Sequence, residues 1–563
     1  MNGLTKRYRK LGIMAACLAL VVAACGTSDS DGSATTEAPG SDGSTATTAP
    51  GSEGGGESTT VPAAAEGIDV VFAQSTQITF LDPAGKQPQN YPGGYEAAYG
   101  IFSGLIRFDS SLTLQPDLAT EWSLSDDGLT WTFVLREGVT FHDGTPLNAD
   151  AVVAHYAAML DPEYNLSAFT LWEPISSVEK VDDYTVAVTT AEPYGALLNT
   201  IAHGSALIPS PAAVAEHGED FGLHPVGTGP FKVRSFLPGS ELVLEAFADY
   251  YGEAPPYASI TYKYVGEGSG RVAALLSGDA QVIDAVPVQE AERVASEANL
   301  VEVAGLQTFG IGLNQTNPAL TDKSVRQAFN YAIDKQGIVT SLFRGHATVL
   351  DAPLAPNTSG SSPSGSYPQD QEKAATMLAD AGYVAGDDGV LEKDGERLSF
   401  RLRASDGLFP NDILVAQAIQ DQLGAIGVEV EIEKVDPAEF FGSLKVAQAD
   451  VTFDMVLFGF NPSHASGLIQ LDIMFTSNPT ADVPPGWNYN WYSNTEFDDL
   501  IAEARSTADP AAGDALLAEA QQILWDDAPY IWLYVRNILS ANTAEVLPPT
   551  VLPVVFTVPS RVE

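Results

Sequence analysis

Cysteine is almost absent from this 563-residue chain, which contains only Cys17 and Cys25. Both precede every segment that has the composition of a folded domain. A disulfide framework and a catalytic cysteine are therefore excluded for the folded part. The fold has to depend on a hydrophobic core, and apolar residues make up 45% of the chain.

Basic residues are also scarce, since 27 Lys and Arg stand against 73 Asp and Glu, for a formal net charge of −46. Such a surface repels phosphate backbones, which excludes nucleic acid as a partner. A field of this sign favours cationic ligands, but a solvated acidic surface that limits association explains the same composition. The charge alone leaves both interpretations open.

Motifs of the common hydrolases are missing. The chain has no Gly-x-Ser-x-Gly and no His-Glu-x-x-His, and the glycines at 266–271 lack the spacing and the lysine of a phosphate-binding loop. We therefore expect no catalytic residue, no metal and no cofactor. A hydrolase that uses a pair of carboxylates remains an alternative, because sequence does not reveal such pairs.

The N-terminus has the pattern of an export signal. Four basic residues precede an apolar run at 11–24, which is shorter than the roughly 20 residues of a membrane span and ends in small residues. We identify 1–24 as a signal peptide. The segment 22–25 resembles the lipobox of bacterial lipoproteins, which implies a lipid anchor at Cys25 and an extracytoplasmic location at the cell membrane.

The next segment, 25–66, consists mainly of Ser, Thr, Gly, Ala, Pro and acidic residues, with no Lys or Arg. A segment with so few apolar residues cannot form a core, so we predict a disordered tether. By flexible-chain scaling, about forty residues span roughly 35 Å, which is enough to lift a domain off a membrane.

Beyond residue 67 the pattern is that of an α/β protein. About five hundred residues are too many for one core, which predicts more than one lobe. Apolar residues at helical spacing predict a helix at 412–426, and Val, Glu and Ile then alternate as in a half-buried strand. A second helix is predicted to start with Thr321 or Asp322 as N-cap and to run towards Gly345. The apolar run at 453–460 predicts a strand buried on both faces.

Several ordered blocks resemble the bacterial solute-binding proteins of the oligopeptide and nickel class, often called family 5. The strongest block covers 118–147 and includes Trp122, Trp131 and the turn at 142–146. Further matches lie at 225–231, 249–252, 275–279, 325–334, 381–383 and 528–530. The resemblance spans nearly the whole folded part.

The resemblance implies a type II periplasmic-binding-protein fold with two lobes and an inserted domain, three domains in all. Domain I would comprise 67–100, 223–305 and 530–563, domain II 101–222, and domain III 306–529. The lobes would close on a small solute about the two chain crossings. The implied partner is the permease of an ABC importer, and we expect a monomer.

Ligands of open α/β sheets bind beyond the carboxyl ends of strands, which nominates the loop after 453–460 and the residues that follow a first strand at 68–73. The segment 487–492 resembles a family region near the pocket, although an ordinary aromatic core explains it equally well. The predicted ligand-binding residues are Gln74, Ser75, Thr76, Phe460, Asn461, Ser463, His464, Trp487, Asn490, Trp491 and Tyr492.

The expected solute is an oligopeptide or dipeptide, with an oligosaccharide as the alternative. Peptide-binding members of the family usually carry an acid in the loop after the strand at 453–460, and 461–467 contains none. His464 could instead contact a carboxylate, a metal complex or a sugar hydroxyl. An exposed loop histidine without a role is the alternative for that residue.

Overall fold

The structure of the chain is a computed structural model that describes residues 67–83, 93–161, 169–484, 486–507, 509–554 and 556–559. The chain divides into two units, Met1–Val61 and Pro62–Glu563, and every element below belongs to the second. The predicted signal peptide at 1–24, Cys25 and the predicted tether at 25–66 lie outside the described residues.

Strands and helices alternate along the described chain. In chain order the strands are β1 (Asp69–Gln74), β2 (Ile106–Phe108), β3 (Leu114–Pro116), β4 (Ala119–Leu124), β5 (Thr130–Leu135), β6 (Ile175–Asp182), β7 (Thr185–Thr190), β8 (Phe231–Leu237), β9 (Glu241–Ala246), β10 (Ser259–Tyr264), β11 (Val282–Ile283), β12 (Asn299–Leu313), β13 (Ala347–Val349), β14 (Val384–Ala385), β15 (Leu391–Lys393), β16 (Glu396–Arg397), β17 (Ser399–Ser405), β18 (Glu429–Val435), β19 (Met455–Phe460), β20 (Tyr530–Asn542), β21 (Thr550–Leu552) and β22 (Phe556–Val558).

The helices pack on these strands. In chain order they are α1 (Gly93–Ile101), α2 (Ala149–Met159), α3 (Phe169–Trp172), α4 (Leu197–Ala202), α5 (Pro211–His217), α6 (Gly268–Ser277), α7 (Ala291–Glu297), α8 (Lys323–Ala332), α9 (Lys335–Phe343), α10 (Gln371–Asp380), α11 (Asp412–Gly424), α12 (Pro437–Leu444), α13 (Gly467–Phe475), α14 (Thr495–Ser506) and α15 (Pro510–Asp527). The predicted α/β class is confirmed.

One large mixed sheet organises the molecule. Its strand order is β18-β17-β19-β12-β20-β11-β1-β10-β9-β8, with β13 pairing to β20. A separate antiparallel sheet, β4-β5-β7-β6, lies within the stretch predicted as an inserted domain. It contains a hairpin, in which β4 and β5 flank the turn at Gly128.

Two long antiparallel strands, β12 and β20, join the halves of the large sheet. They pair from Asn299 opposite Asn542 to Gly312 opposite Tyr530. At one end β20 also pairs with β11, and at the other end β12 pairs with β19. Register shifts interrupt the ladder between Ala304 and Thr308, and such irregularities bend a strand locally. These two strands therefore connect the half that holds β1 to the half that holds β19.

The helix predicted from Asp322 towards Gly345 is two helices, so that prediction was wrong in its continuity. The Asp322 side chain caps α8, which ends at Ala332, and Ile333 is extended. Asp334 then accepts a hydrogen bond from the Gly337 N–H and caps α9. A side-chain cap offers the backbone an alternative to continuing the helix, and apolar periodicity does not reveal it.

The other element predictions are confirmed within a few residues. The helix predicted at 412–426 is α11, and Gly427 follows it with φ +82°, a conformation that favours glycine. The alternating segment after it forms β18. The strand predicted at 453–460 is β19, and all six of its residues are buried.

A glycine turn fixes α1 to the start of β8. The Gly229 N–H donates to the Ile101 carbonyl at 2.8 Å, and a Cβ on Gly229 would lie 2.5 Å from the Gly100 carbonyl oxygen. The His142 ring lies 2.9 Å from the Gly229 carbonyl oxygen through Nε2. The turn at 142–146 therefore packs against this glycine turn.

Buried apolar side chains form three clusters. The largest spans α1, the β4-β5-β7-β6 sheet and one face of β12, β19 and β20. A second lies under α8, α9 and α11 and includes Phe309, Ile531 and Tyr534. The third, around Val272 and Val294, packs α6 and α7 against the sheet. Among the described residues, no helix combines the length and the apolar character that a membrane crossing requires.

Candidate functional site

The loop that follows β19 is held by contacts with distant parts of the chain. The Asn461 amide donates to the Val554 carbonyl at 3.0 Å, and the Asn199 amide donates to the His464 carbonyl at 3.0 Å. Ser463 Oγ lies 3.1 Å from Nε2 of His203. The loop therefore joins the end of β19 to α4, to the residue that follows α4 and to the C-terminal segment.

His464 is buried, with 3% of its surface exposed, so the interpretation of an exposed loop histidine was wrong. Its Nδ1 accepts a hydrogen bond from the Ser466 N–H at 3.2 Å. Burial lowers the pKa of His464 to about 3, with a smaller effect from the nearby His203. Both histidines are neutral near pH 7, because burial also lowers the pKa of His203 to about 4.

Aromatic rings surround the end of β19. The Trp487 ring centroid lies 6.0 Å from Phe460, 5.8 Å from Phe458, 5.8 Å from Tyr489 and 5.6 Å from Phe441. Trp487 is half-buried, and Phe441 is 37% exposed. These five rings, which we call the aromatic cluster, therefore extend from the core to the surface and could stack on a planar group.

The remaining predicted residues of 487–492 lie elsewhere. The Asn490 carbonyl accepts from the Gln315 N–H at 2.8 Å, and the Tyr492 hydroxyl donates to Asp527 at 2.8 Å. Trp491 is half-buried and has φ +56°, which turns the chain. Asn490 and Tyr492 therefore brace the segment before β20, while Trp487 belongs to the aromatic cluster.

A small enclosed cavity lies beside Phe460, and we call it the Phe460 cavity. Its volume is about 10 Å³, room for about one water molecule, and its lining includes Thr308, Phe460, Gln470, Phe475, Tyr530 and Trp532. Gln470 and Trp532 are 1% and 3% exposed. Gln470 Oε1 and Trp532 Nε1 have no hydrogen-bond partner among the described residues.

Buried polar atoms without partners are costly, typically about 1 to 3 kcal/mol each. Two such atoms of opposite hydrogen-bonding type at one cavity indicate a place that can bind a polar group. Sequence analysis missed both residues. Gln470 interrupts the apolar helix α13, and that interruption was a readable signal, whereas Trp532 in the apolar strand β20 offered none.

Gln74, Ser75 and Thr76 lie in a different place from the loop after β19. The Ser75 N–H and hydroxyl donate to Asp284 at 2.8 and 2.5 Å, and Asp284 lies 3.3 Å from Nε of Arg271. The Gln74 amide donates to the Thr76 carbonyl at 2.6 Å. Both Arg271 and Asp284 are 4% exposed, so this ion pair is part of the interior.

Ser75 and Thr76 line a larger cavity of about 510 Å³, which we call the Arg536 cavity. Its other lining residues include Asn411, Phe343, Gln307 and Arg536. Residues from both halves of the large sheet thus contribute to its walls. A volume of this size lies within the range of small-molecule sites.

The two cavities share no lining residue. Thr308 and Phe309, neighbours in β12, both line the Phe460 cavity. Thr308 accepts a hydrogen bond from the Gln470 amide beside the Phe460 cavity. Phe309 lies under the guanidinium of Arg536, 5.1 Å from its ring centroid. The structure therefore does not bring the predicted residues into one pocket.

Among the described residues, no group of three or more His, Cys, Asp or Glu side chains is arranged to hold a metal ion.

Known proteins that resemble this chain are solute-binding proteins. Glutathione-binding protein GsiB of Escherichia coli O157:H7 is 31% identical over 481 residues, which cover 84% of this chain and 90% of the relative. GsiB of Salmonella typhimurium is 32% identical over the same shares.

Two solved structures are similar in fold. The oligopeptide-binding protein AppA of Bacillus subtilis, in complex with a nonapeptide, aligns with a TM-score of 0.70 at 27% identity, covering 86% of this chain and 96% of AppA. HbpA2 of Haemophilus parasuis aligns with a TM-score of 0.75 at 26% identity, covering 87% of this chain and 98% of HbpA2.

A family model also matches most of the chain. The model of the bacterial extracellular solute-binding proteins, family 5 middle region, matches residues 113–482. The resemblance and the type II periplasmic-binding-protein fold that it implied are confirmed. The chain therefore belongs to the bacterial extracellular solute-binding proteins of family 5, which bind a small solute outside the cytoplasm for an ABC importer and are not enzymes.

Proposed function

We propose that the solute is a short peptide and that it binds at the Phe460 cavity, against the loop after β19. The observation that carries this proposal is the pair of partnerless buried atoms, Gln470 Oε1 and Trp532 Nε1. One accepts and the other donates, which complements the N–H and C=O of a peptide group. GsiB relatives bind glutathione, and AppA was solved with a nonapeptide, which supports a peptide ligand.

The predicted residues then divide into groups. Phe460, Asn461, Ser463, His464 and Trp487 belong to the proposed solute site with the aromatic cluster. The aromatic cluster favours an oligosaccharide as the second candidate, because sugar rings stack on Trp and Phe faces. We assign Asn490, Trp491 and Tyr492 a supporting role beside β20. Ser75 and Thr76 line the Arg536 cavity, and Gln74 precedes them at the end of β1.

We propose that the lobes separate to admit the solute. A cavity of about 10 Å³ holds no more than about one water molecule, so a peptide enters only if the walls move apart. We propose that the hinge lies at β12 and at the start of β20, because the chain passes there between domains I and III. The proposed domains are 67–100, 223–305 and 530–563 for domain I, 101–222 for domain II and 306–529 for domain III. A ligand that contacts both lobes stabilises the closed state, and the ABC permease receives the closed monomer.

Scattering with recovery of the ligand tests this mechanism. We expect the radius of gyration to fall when a saturating peptide is added, because closure makes the molecule more compact. Mass analysis of the recovered peptide should show an unchanged mass, because a carrier releases what it binds. An unchanged radius at saturation would contradict closure, and an altered peptide would contradict a carrier role.

Membrane attachment is proposed through Cys25, after removal of 1–24, with 25–66 as the tether. Cys25→Ser should abolish the incorporation of a radiolabelled fatty acid and release the protein into the medium, because the thiol is the acyl acceptor. Cys17→Ser is the matched control and should leave both labelling and membrane retention unchanged. Continued labelling of the Cys25→Ser protein would show that the anchor is elsewhere.

A further inference from the structure

Arg536 is partly buried, and within the described part of the chain no carboxylate forms an ion pair with it. Nη2 donates to Gln307 Oε1 at 3.0 Å, and Nε has no hydrogen-bond partner among the described residues. Burial lowers the pKa of Arg536, and Tyr534 is the nearby group that opposes this shift. In contrast, Arg271 pairs with Asp284, and Arg403 pairs with Glu433 at 3.0 Å. A partly desolvated cation with one buried, unpartnered N–H and no counter-charge is stabilised when an anion joins it.

The geometry holds this guanidinium in place at the Arg536 cavity. Its lower face rests on Phe309, and the Gln307 contact fixes one edge. A planar, pre-ordered guanidinium presents a fork of N–H donors that matches a carboxylate. The cavity is about 510 Å³, which leaves space beside Arg536 for more than the carboxylate itself.

The two acidic residues that line the cavity do not serve as the missing counter-ion. Asp284 already accepts from Ser75 and pairs with Arg271. Glu96 Oε1 accepts from the Thr557 N–H at 2.9 Å, and burial raises the pKa of Glu96 well above its usual range. Glu302 lies near the cavity, but it accepts from Asn537 and contacts His346 at 3.0 Å.

The rest of the lining selects the shape and charge of the ligand. Val286, Pro287, Val288, Ile538 and Leu408 present apolar surface. One unbalanced guanidinium matches one negative charge, and the chain's net charge of −46 disfavours a more highly charged anion. These features fit a monocarboxylate with an apolar body.

We propose that the Arg536 cavity is a second ligand site, which binds a small monocarboxylate with its charge on Arg536 and its apolar body against the β11–α7 segment. This site shares no lining residue with the proposed solute site. The proposal therefore does not depend on which solute binds at the Phe460 cavity.

Hexanoate is the probe, and hexanamide is its uncharged counterpart. Saturation-transfer NMR on the exported protein should show hexanoate binding to one site, with hexanamide at least about tenfold weaker, because it lacks the charge that Arg536 recognises. Inorganic phosphate should not compete. Equal binding of the acid and the amide, or displacement by phosphate, would overturn the proposal.

Variants locate the site. Arg536→Gln should weaken hexanoate binding by at least about tenfold, and Arg401→Gln, at an exposed arginine of β17, should leave it unchanged. Because Arg536→Gln removes packing on Phe309, a second variant guards against misfolding. Gln289→Glu adds a negative charge at an exposed position of the lining and should also weaken hexanoate binding. Unchanged binding in this folded variant and in Arg536→Gln would refute the site.

One further variant tests the second site separately from the proposed solute site. Gln470→Met should leave hexanoate binding intact, whatever it does to peptide binding. Loss of hexanoate binding in Gln470→Met, with retention in Arg536→Gln, would place hexanoate in the Phe460 cavity and overturn the second site.

Discussion

Arg271→Met should lower the free energy of unfolding by about 3 to 5 kcal/mol, the usual effect of removing one partner of a buried ion pair. The guanidinium contacts Asp284 and donates to the carbonyl oxygens of Val265, Gly266 and Ala285 at 2.8 to 2.9 Å. Without it, a buried carboxylate and these carbonyls lose their partner. The measurement is equilibrium unfolding in urea, followed by tryptophan fluorescence.

An exposed arginine provides the matched control. Arg293 contacts Glu290 and Glu297 on α7, and its side chain is 56% exposed. Arg293→Met should change the free energy of unfolding by less than about 1 kcal/mol, because solvent screens such pairs. If both variants lower the free energy of unfolding by the same amount, the buried Arg271–Asp284 pair contributes no more to stability than an exposed pair.

This ion pair also positions a segment that sequence analysis assigned to the ligand. Asp284 holds the Ser75 backbone and hydroxyl at the carboxyl end of β1. The strand-end rule correctly identified an edge of the sheet where polar side chains gather. The rule names an edge and not a face, however, and it is silent on which strand ends share a pocket. For that reason it grouped Ser75 with the loop after β19, although the structure separates them.

Local patterns predicted most of the elements because they are set by neighbouring residues. The apolar run of β19 and the alternation of β18 are examples, and both were found where expected. The break between α8 and α9 was missed because the Asp334 cap competes with a continuous apolar stripe. Tertiary information was needed at such points.

At the proposed solute site, local sequence patterns predicted less than they did for the helices and strands. Phe460 and Trp487 were identified from sequence and lie together, but Asn490 and Tyr492 diverge from them after the turn. The two partnerless atoms of Gln470 and Trp532 became visible only when their surroundings were known. A missing hydrogen bond is a property of the folded surroundings, so no sequence pattern records it.

Gln470→Met should weaken peptide binding by at least about tenfold while leaving the stability of the ligand-free protein nearly unchanged. The side-chain amide of Gln470 donates to Thr308 Oγ1 at 3.2 Å, and Oε1 has no described partner. Methionine has a similar length and removes both groups. The lost bond to Thr308 is offset by removal of the buried partnerless oxygen, whereas a bound peptide loses its acceptor.

A loss of binding without a loss of stability distinguishes a ligand-binding group from a structural one. The measurements are calorimetric titration with the tightest peptide of a panel that includes glutathione, and the melting temperature without ligand. Gln522→Met, at an exposed glutamine of α15, is the matched control and should change neither quantity. A Gln470→Met protein with full peptide affinity would remove the Phe460 cavity as the solute site. A Gln470→Met protein that loses stability and affinity together would show that Gln470 supports the fold. In that case the loss of affinity would follow from the loss of structure and not from the loss of a hydrogen bond to the peptide.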